Sequence, residues 1–189
     1  MSEKKIDLRI EKTYRSLHQA FTALLEEKKF EEFTVNELCE RAMIRRTTFY
    51  KHFADKYEYF TFFIREISDS FLEQLPPETN PNDLTAYYSY MSEQLLQFTS
   101  KNENLVHHII ESNMFPVLLD LLTGYIRTEL VQKLRASETF AAADEKTVKV
   151  MAAFYAGGLT NAFLLQFRGE LDISKEKLLS IIAGIFKNI

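Results

Sequence analysis

Between Arg45 and Phe53 the chain reads Arg-Arg-Thr-Thr-Phe-Tyr-Lys-His-Phe, and every residue but the two phenylalanines carries a charged or hydrogen-bonding side chain. That inventory suits the edges of base pairs and the phosphates beside them. An arginine bonds guanine through two parallel N–H groups, a threonine meets a base edge or a thymine methyl, and tyrosine, lysine and histidine bond phosphates or bases. Phe49 and Phe53 stand four apart, so on a helix they share a face that packs inward against Leu38 and Ile44. Arg45, Arg46, Thr47, Tyr50, Lys51 and His52 are then left for a groove. A blander interpretation competes, in which Tyr50 and His52 finish a small core while the cations stay in water. A helix of about eight residues is marginal in water on its own, so a short basic and aromatic helix needs another reason to exist, and groove reading supplies one.

The formal charge of the 189 residues is -4, but for nucleic acid the distribution matters more than the total. From Arg41 to Lys56 the cations Arg41, Arg45, Arg46, Lys51 and Lys56 face one carboxylate, Asp55. Taken alone, such a cluster is as often a solvated helix face. Catalysis has no foothold: the sequence contains no Gly-rich phosphate loop, no nucleophile elbow, no His-Glu-x-x-His and no cysteine cluster. Neither a cofactor nor a metal is expected, since His107 and His108 are adjacent and diverge by about 100° on a helix. Cys39 is the one cysteine and cannot form an internal disulfide. No signal-peptide core opens the chain, and no uninterrupted apolar run approaches the roughly 20 residues that cross a bilayer. The expectation is a cytoplasmic protein without a membrane span.

Periodicity outlines the elements that must hold the reading segment. Ile10, Tyr14, Leu17, Phe21, Leu24 and Leu25 recur at steps of three and four and predict a helix over roughly 8–28. Thr34-Val35-Asn36-Glu37 has the form of a capping box and starts a second helix that runs to about Arg41. After Ala42-Met43-Ile44, Arg45 to His52 forms a third. Asp55 caps a long fourth helix carrying Tyr57, Phe60, Ile64, Ile67, Phe71 and Leu75, which Pro76-Pro77 ends, and Pro76 to Pro81 reads as a linker. Further helices are expected near 83–99, 103–112, 116–136, 144–168 and 174–187, with no alternating pattern that asks for a strand. The expected fold is all-α with about nine helices: a three-helix DNA-binding domain over 1–54 and a helical bundle over 55–189.

Thr34-Val35-x-x-Leu38-x-x-x-Ala42-x-Ile44-x-Arg46-x-Thr48-Phe49-Tyr50-x-His52-Phe53-x-Asp55-Lys56 resembles the N-terminal domain of the TetR family of bacterial regulators, over about residues 6–63. The resemblance implies that Arg45 to His52 is a recognition helix, that Thr34 bonds a phosphate at the start of the second helix, and that Lys56 touches the DNA backbone. It further implies a homodimer on double-stranded DNA, acting as a repressor at a two-fold-symmetric operator and released by a small-molecule effector. Members usually carry glycine where this chain has Met43. Ordinary backbone angles are expected there, which would leave the fold intact. Members also usually carry a small residue in place of Thr47 and often serine in place of Arg45, so the operator does not transfer and the reading head is more basic than usual.

The C-terminal part resembles a branch of the family common in low-GC Gram-positive bacteria, through Phe154-Tyr155-x-Gly157-Gly158-Leu159 and Ile181-Ile182-x-Gly184-Ile185-Phe186. Each glycine inside a helix costs about 1 kcal/mol relative to alanine, so the pair asks for a compensating close approach by another helix. In the family the last two helices of each subunit form a four-helix dimer bundle, which implies an interface through Gly157, Gly158, Leu178, Ile182 and Ile185; an ordinary internal core is the alternative. Tyr88, His107, Phe115, Tyr125 and Tyr155 are candidates to line an effector pocket, again with plain core as the competing interpretation. A helical adaptor or co-regulator that answers to a protein partner is the second functional class, and absence of sequence-specific binding in a gel shift would favour it.

Overall fold

The computed structural model describes residues 8–73, 83–140 and 142–187. Among the described residues there are nine α-helices and no strand: α1 (Leu8–Glu27), α2 (Val35–Arg41), α3 (Arg46–Phe49), α4 (Lys56–Glu73), α5 (Leu84–Lys101), α6 (Glu103–Ile110), α7 (Phe115–Ala136), α8 (Glu145–Phe167) and α9 (Lys175–Phe186). Short 3-10 turns lie at Phe30–Glu32 and Glu138–Phe140. The all-α expectation holds. The largest departure in length is α3, where regular helix covers only Arg46–Phe49 before turns carry the chain to His52. Leu75 and the expected linker from Pro76 to Pro81 lie outside the described residues.

Local chemistry explains the boundaries. At the start of α2 the Glu37 N–H donates to Thr34 Oγ1 at 3.2 Å while the Thr34 N–H donates to the Glu37 carboxylate at 2.9 Å, so two otherwise orphaned donors are satisfied reciprocally. At the start of α4 the N–H groups of Tyr57 and Glu58 both donate to Asp55 Oδ1 at 2.8 Å. The end of α2 corrects an expectation. Met43 does not have ordinary backbone angles; its φ is +55°, in the left-handed region. The Ile44 N–H reaches back to Cys39 O at 3.0 Å and the Met43 N–H to Glu40 O at 3.1 Å, a pair of bonds that closes only when the intervening residue is left-handed.

The chain divides into two compact units, Met1–Arg65 with Asn102–Pro116, and Glu66–Lys101 with Val117–Ile189. The division falls inside α4, because Tyr59, Phe60 and Phe63 of α4 are buried in the first core. At the centre of that core, the Phe21 ring of α1 meets Phe33 at 5.6 Å, Tyr59 at 5.0 Å and Phe63 at 4.9 Å between centroids. Helix α6 belongs to this unit too. The His108 Nδ1 lies 2.7 Å from the Leu25 carbonyl oxygen, and the Lys29 ammonium lies 2.7 Å from the Glu111 carboxylate.

The second unit buries Leu84, Tyr87, Tyr88 and Leu96 of α5 with Leu130 and Leu134 of α7, Val148, Ala152, Ala156 and Phe163 of α8, and Leu178, Ile182 and Phe186 of α9. Helix α8 is long and apolar enough to cross a bilayer by length and mean composition, although Lys149, Thr160 and Asn161 interrupt its apolar run. Its composition has a local cause: one side feeds this core while Val150 and Phe154 on other sides stand exposed.

Candidate nucleic-acid interface

The surface around α3 is built from one anchor and several free side chains. Phe49 is fully buried, with its ring 5.6 Å from Phe53 and 6.0 Å from Tyr59. That contact fixes the rotation of the short helix. Arg45, Arg46, Thr47, Tyr50 and Lys51 are consequently exposed, Tyr50 by 55% even though its ring edge meets Phe49. Arg46 and Tyr50 are four apart, as are Thr47 and Lys51, so they form two adjacent rows along the helix and the turn that follows it.

Not every cation of the cluster serves this surface. Arg41 pairs with Glu27, one guanidinium N–H lying 2.6 Å from the carboxylate, and this bond holds the Glu27 carboxyl below its usual range. Lys56 turns inward and donates to the carbonyls of Phe30 and Phe33. Arg45, Arg46 and Lys51 have no ion pair among the described residues. They are the charge that remains for an anion.

Two other candidates are partly committed. Thr34 is exposed at the start of α2, but its Oγ1 already accepts from the Glu37 N–H. His52 is half-buried, its ring edge-on to Tyr14 at 5.3 Å and its Nδ1 3.3 Å from the Tyr14 hydroxyl. The inward interpretation of His52 is thus the one its contacts match, whereas Tyr50 faces out. What remains is a compact set of donors: two guanidiniums, an ammonium and two hydroxyls on a rigidly seated short helix, able to bond base edges and phosphates.

The positions expected at an interface separate. Leu178 and Ile182 are buried in the core of this same chain, where α9 packs against α5. Ile185 is exposed, with Ile181 one turn before it, and so are Val150 and Phe154 of α8, Phe154 by 73%. A Cβ added at Gly157 or Gly158 would meet nothing within 4 Å, so the close approach that would compensate for the two glycines is not made within the described chain.

The pocket candidates are shared between the two units. His107 and Phe115 belong to the first unit, and His107 is exposed with its Nε2 3.2 Å from Glu111. Tyr88, Tyr125 and Tyr155 belong to the second, where the Tyr88 ring stacks on Phe186 at 4.3 Å, Tyr155 lies 5.8 Å from the same ring, and the Tyr125 hydroxyl donates to Asp69 at 3.5 Å. Sequence reasoning missed their neighbours. The Lys133 ammonium lies 3.7 Å above the Tyr87 ring, and burial holds its pKa down. Burial, followed by the nearby Glu129 for Tyr87 and by Tyr87 and Glu129 for Tyr88, pushes both phenols well up. The Tyr88 hydroxyl and Ser92 Oγ are buried without a hydrogen-bond partner among the described residues. The available signal was the stripe Leu84, Tyr88, Ser92, Leu96, in which a serine interrupts an apolar period of four.

A capped two-helix motif whose second helix is anchored by one phenylalanine and presents arginine, threonine, tyrosine and lysine to solvent defines a helix-turn-helix DNA-binding protein. Comparison with known proteins narrows the class. Residues 19–60 match the bacterial regulatory proteins of the tetR family. A stretch of 108 residues, 57% of this chain, is 29% identical to the uncharacterized HTH-type transcriptional regulator YxbF of Bacillus subtilis (strain 168), and it spans only 28% of that relative's length. The fold is similar to that of the dihydroxyacetone kinase operon activator DhaS, with a TM-score of 0.58 over 93% of this chain and 94% of that one at 18% identity. The segment from 19 to 60 is thus similar to the helix-turn-helix domain of the TetR family of transcriptional regulators.

Proposed function

We propose that the chain is a homodimeric, cytoplasmic repressor that occupies a two-fold-symmetric DNA operator and leaves it when a small molecule binds the C-terminal helices. The observation that carries the DNA half is the pair of exposed rows, Arg46 with Tyr50 and Thr47 with Lys51, on a helix seated by Phe49. In this reading Arg46 and Thr47 face base edges, Tyr50 flanks them, and Arg45 and Lys51 bond phosphates. Thr34 places the start of α2 against a phosphate, and His52, braced on Tyr14, holds the turn after the recognition helix. The domain that reads DNA ends near residue 54 in chain terms but depends on the first part of α4 for its core.

One short helix in one groove makes too few contacts for useful specificity, so two heads are held about 34 Å apart or a multiple of it. A second copy covering Val150, Phe154, Gly157, Gly158 and Ile185 would hide exposed apolar surface and supply the close approach the glycines lack. That reading also accounts for the apolar character of α8 without a membrane. A second reading of the sensing half is favoured by the way Tyr88, Phe186 and Tyr155 fill the interior of the second unit: the signal would be a protein partner in place of a small molecule.

Selection of bound fragments from genomic DNA, followed by gel shift and sedimentation, tests the proposal. A recovered site with two-fold symmetry, bound by dimers, is the expected result. A protein that is monomeric at micromolar concentration yet binds tightly to a single half-site would overturn the two-headed mechanism.

A further inference from the structure

One cation of the first unit is turned away from solvent at a telling place. Lys56 is the first residue of α4, and its ammonium donates to Phe30 O and Phe33 O at 2.7 Å each while lying 4.4 Å above the Phe30 ring and 5.2 Å from the Phe33 ring. Phe33 immediately precedes Thr34, the N-cap of α2; Lys56 immediately follows Asp55, whose carboxylate caps α4. The helix-turn-helix therefore begins at one end of this contact and finishes at the other, and a single side chain joins its two ends.

We propose that Lys56 is a positioning residue for operator binding, closing the helix-turn-helix at its base and fixing the angle at which α2 and α3 are presented, and that it is not a phosphate contact. This inference rests on the reading of α3 as the DNA-contacting helix. An ammonium has rotatable donors and bonds carbonyls more strongly than a neutral group does, so it can bridge two acceptors of one bent segment, where a planar guanidinium would be a poorer fit. Its surroundings also disfavour an incoming phosphate. The carboxylates of Glu31 and Glu37 lie close enough to act on Lys56, and burial of the ammonium lowers its pKa in spite of them. Glu37 is tied in the same corner, its other bond being to Lys28 at 2.7 Å. A lysine that served phosphates would instead resemble Lys51, exposed and without an ion pair among the described residues.

The test uses the full-length protein, Lys56→Met to keep the stem over the rings without the donors, and Lys56→Arg as the conservative variant. At a temperature where each variant is folded, Lys56→Met is expected to bind operator at least about tenfold more weakly while its affinity for unrelated DNA changes less than about twofold. The slope of log affinity against log salt should stay that of the parent, amides of residues 34–38 should exchange faster, and Lys56→Arg should recover part of the loss. A slope shallower by about 0.9 per subunit, with the ratio of operator to unrelated affinity unchanged, would mean a phosphate contact and overturn the proposal. A lower melting temperature with both affinities intact would mean a merely structural role and overturn it equally. If Lys56→Met does not fold, reductive methylation of the parent decides: a clamped ammonium is slow to react with or without DNA, whereas a phosphate-binding one reacts in the free protein and is protected only by DNA. Because the free-protein arm needs no DNA, it stands even if the assignment of α3 fails.

Discussion

In the first unit the ring of Phe21 is enclosed by rings from the segment after α1 and from α4, and the polar groups at the margin are paired: Lys28 with Glu37, Lys29 with Glu111, Lys56 with two carbonyls. In the second unit the hydroxyls of Tyr88 and Ser92 are buried without a partner among the described residues, while Val150, Phe154, Ile181 and Ile185 lie open to solvent. Both regions are helical and rich in aromatic side chains. The difference is where each is unfinished: around α3 the first leaves Arg45, Arg46 and Lys51 exposed without an ion pair among the described residues, and the second leaves apolar surface on α8 and α9 and unpartnered hydroxyls inside. An unpaired buried hydroxyl costs free energy and exposed aromatic surface marks contact sites, so the second unit is the one whose state should depend on what binds it.

The sharpest way to break this comparison is through Phe49. Phe49→Ala removes a fully buried ring and should cost about 3–5 kcal/mol, with rapid amide exchange over 34–53 and α8 and α9 unchanged. If amides of α8 and α9 become equally labile, the two units unfold as one block and the contrast is false.

Next in size come two glutamates placed three residues apart. Ile182→Glu buries an unpaired charge in the core of the second unit and should unfold it. Ile185→Glu, at an exposed position, should keep the helical content and instead yield monomers in sedimentation, with loss of cooperative operator binding. Ile185→Glu that remains dimeric places the interface elsewhere. Smaller again is Arg46→Ala, expected to cost about 1–3 kcal/mol in operator affinity and to relax preference at one base pair, with circular dichroism unchanged. Equal affinity for operator and for single-base variants in parent and mutant alike would remove Arg46 from the reading head.

The parts of this structure that sequence made legible are those governed by neighbours in the chain. The capping box at Thr34 and Glu37, the cap at Asp55 and the inward face shared by Phe49 and Phe53 depend on spacings of three and four, and each is seen where spacing put it. What spacing could not reveal is which remote surface covers an apolar stripe. Leu178, Ile182 and Ile185 look alike on paper, yet the core of the second unit takes in the first two and leaves the third open. The same holds for charge: Arg41 and Lys56 count as cations in a cluster, but Glu27 and two backbone carbonyls distant in sequence claim them.

The interior of the second unit offers a milder probe. Ser92→Ala removes a buried oxygen without a hydrogen-bond partner among the described residues and should raise stability by up to about 1 kcal/mol, read as a higher melting temperature. A drop of similar size would mean that an ordered water or a ligand bonds that oxygen in solution, and it would sharpen the case for a site there.

The smallest effect concerns how α2 and α8 end. Both close with the same pair of backbone bonds: Ile44 N–H to Cys39 O and Met43 N–H to Glu40 O in one, Glu170 N–H to Leu165 O and Gly169 N–H to Gln166 O in the other. The left-handed position is Gly169 at φ +70° after α8 but Met43 at φ +55° after α2. A residue with a Cβ pays roughly 1–2 kcal/mol to sit there, and Met43, 91% exposed, recovers almost nothing by packing. Replacement by glycine relieves that strain but frees the unfolded chain, which costs about 0.4–1 kcal/mol. Met43→Gly should therefore stabilise the first unit by about 0.5–1 kcal/mol, as slower amide exchange over 34–53 with operator affinity kept. If exchange is unchanged and operator affinity rises or falls, the methionine side chain is itself part of the DNA-binding surface, which then extends beyond α3 into the turn before it.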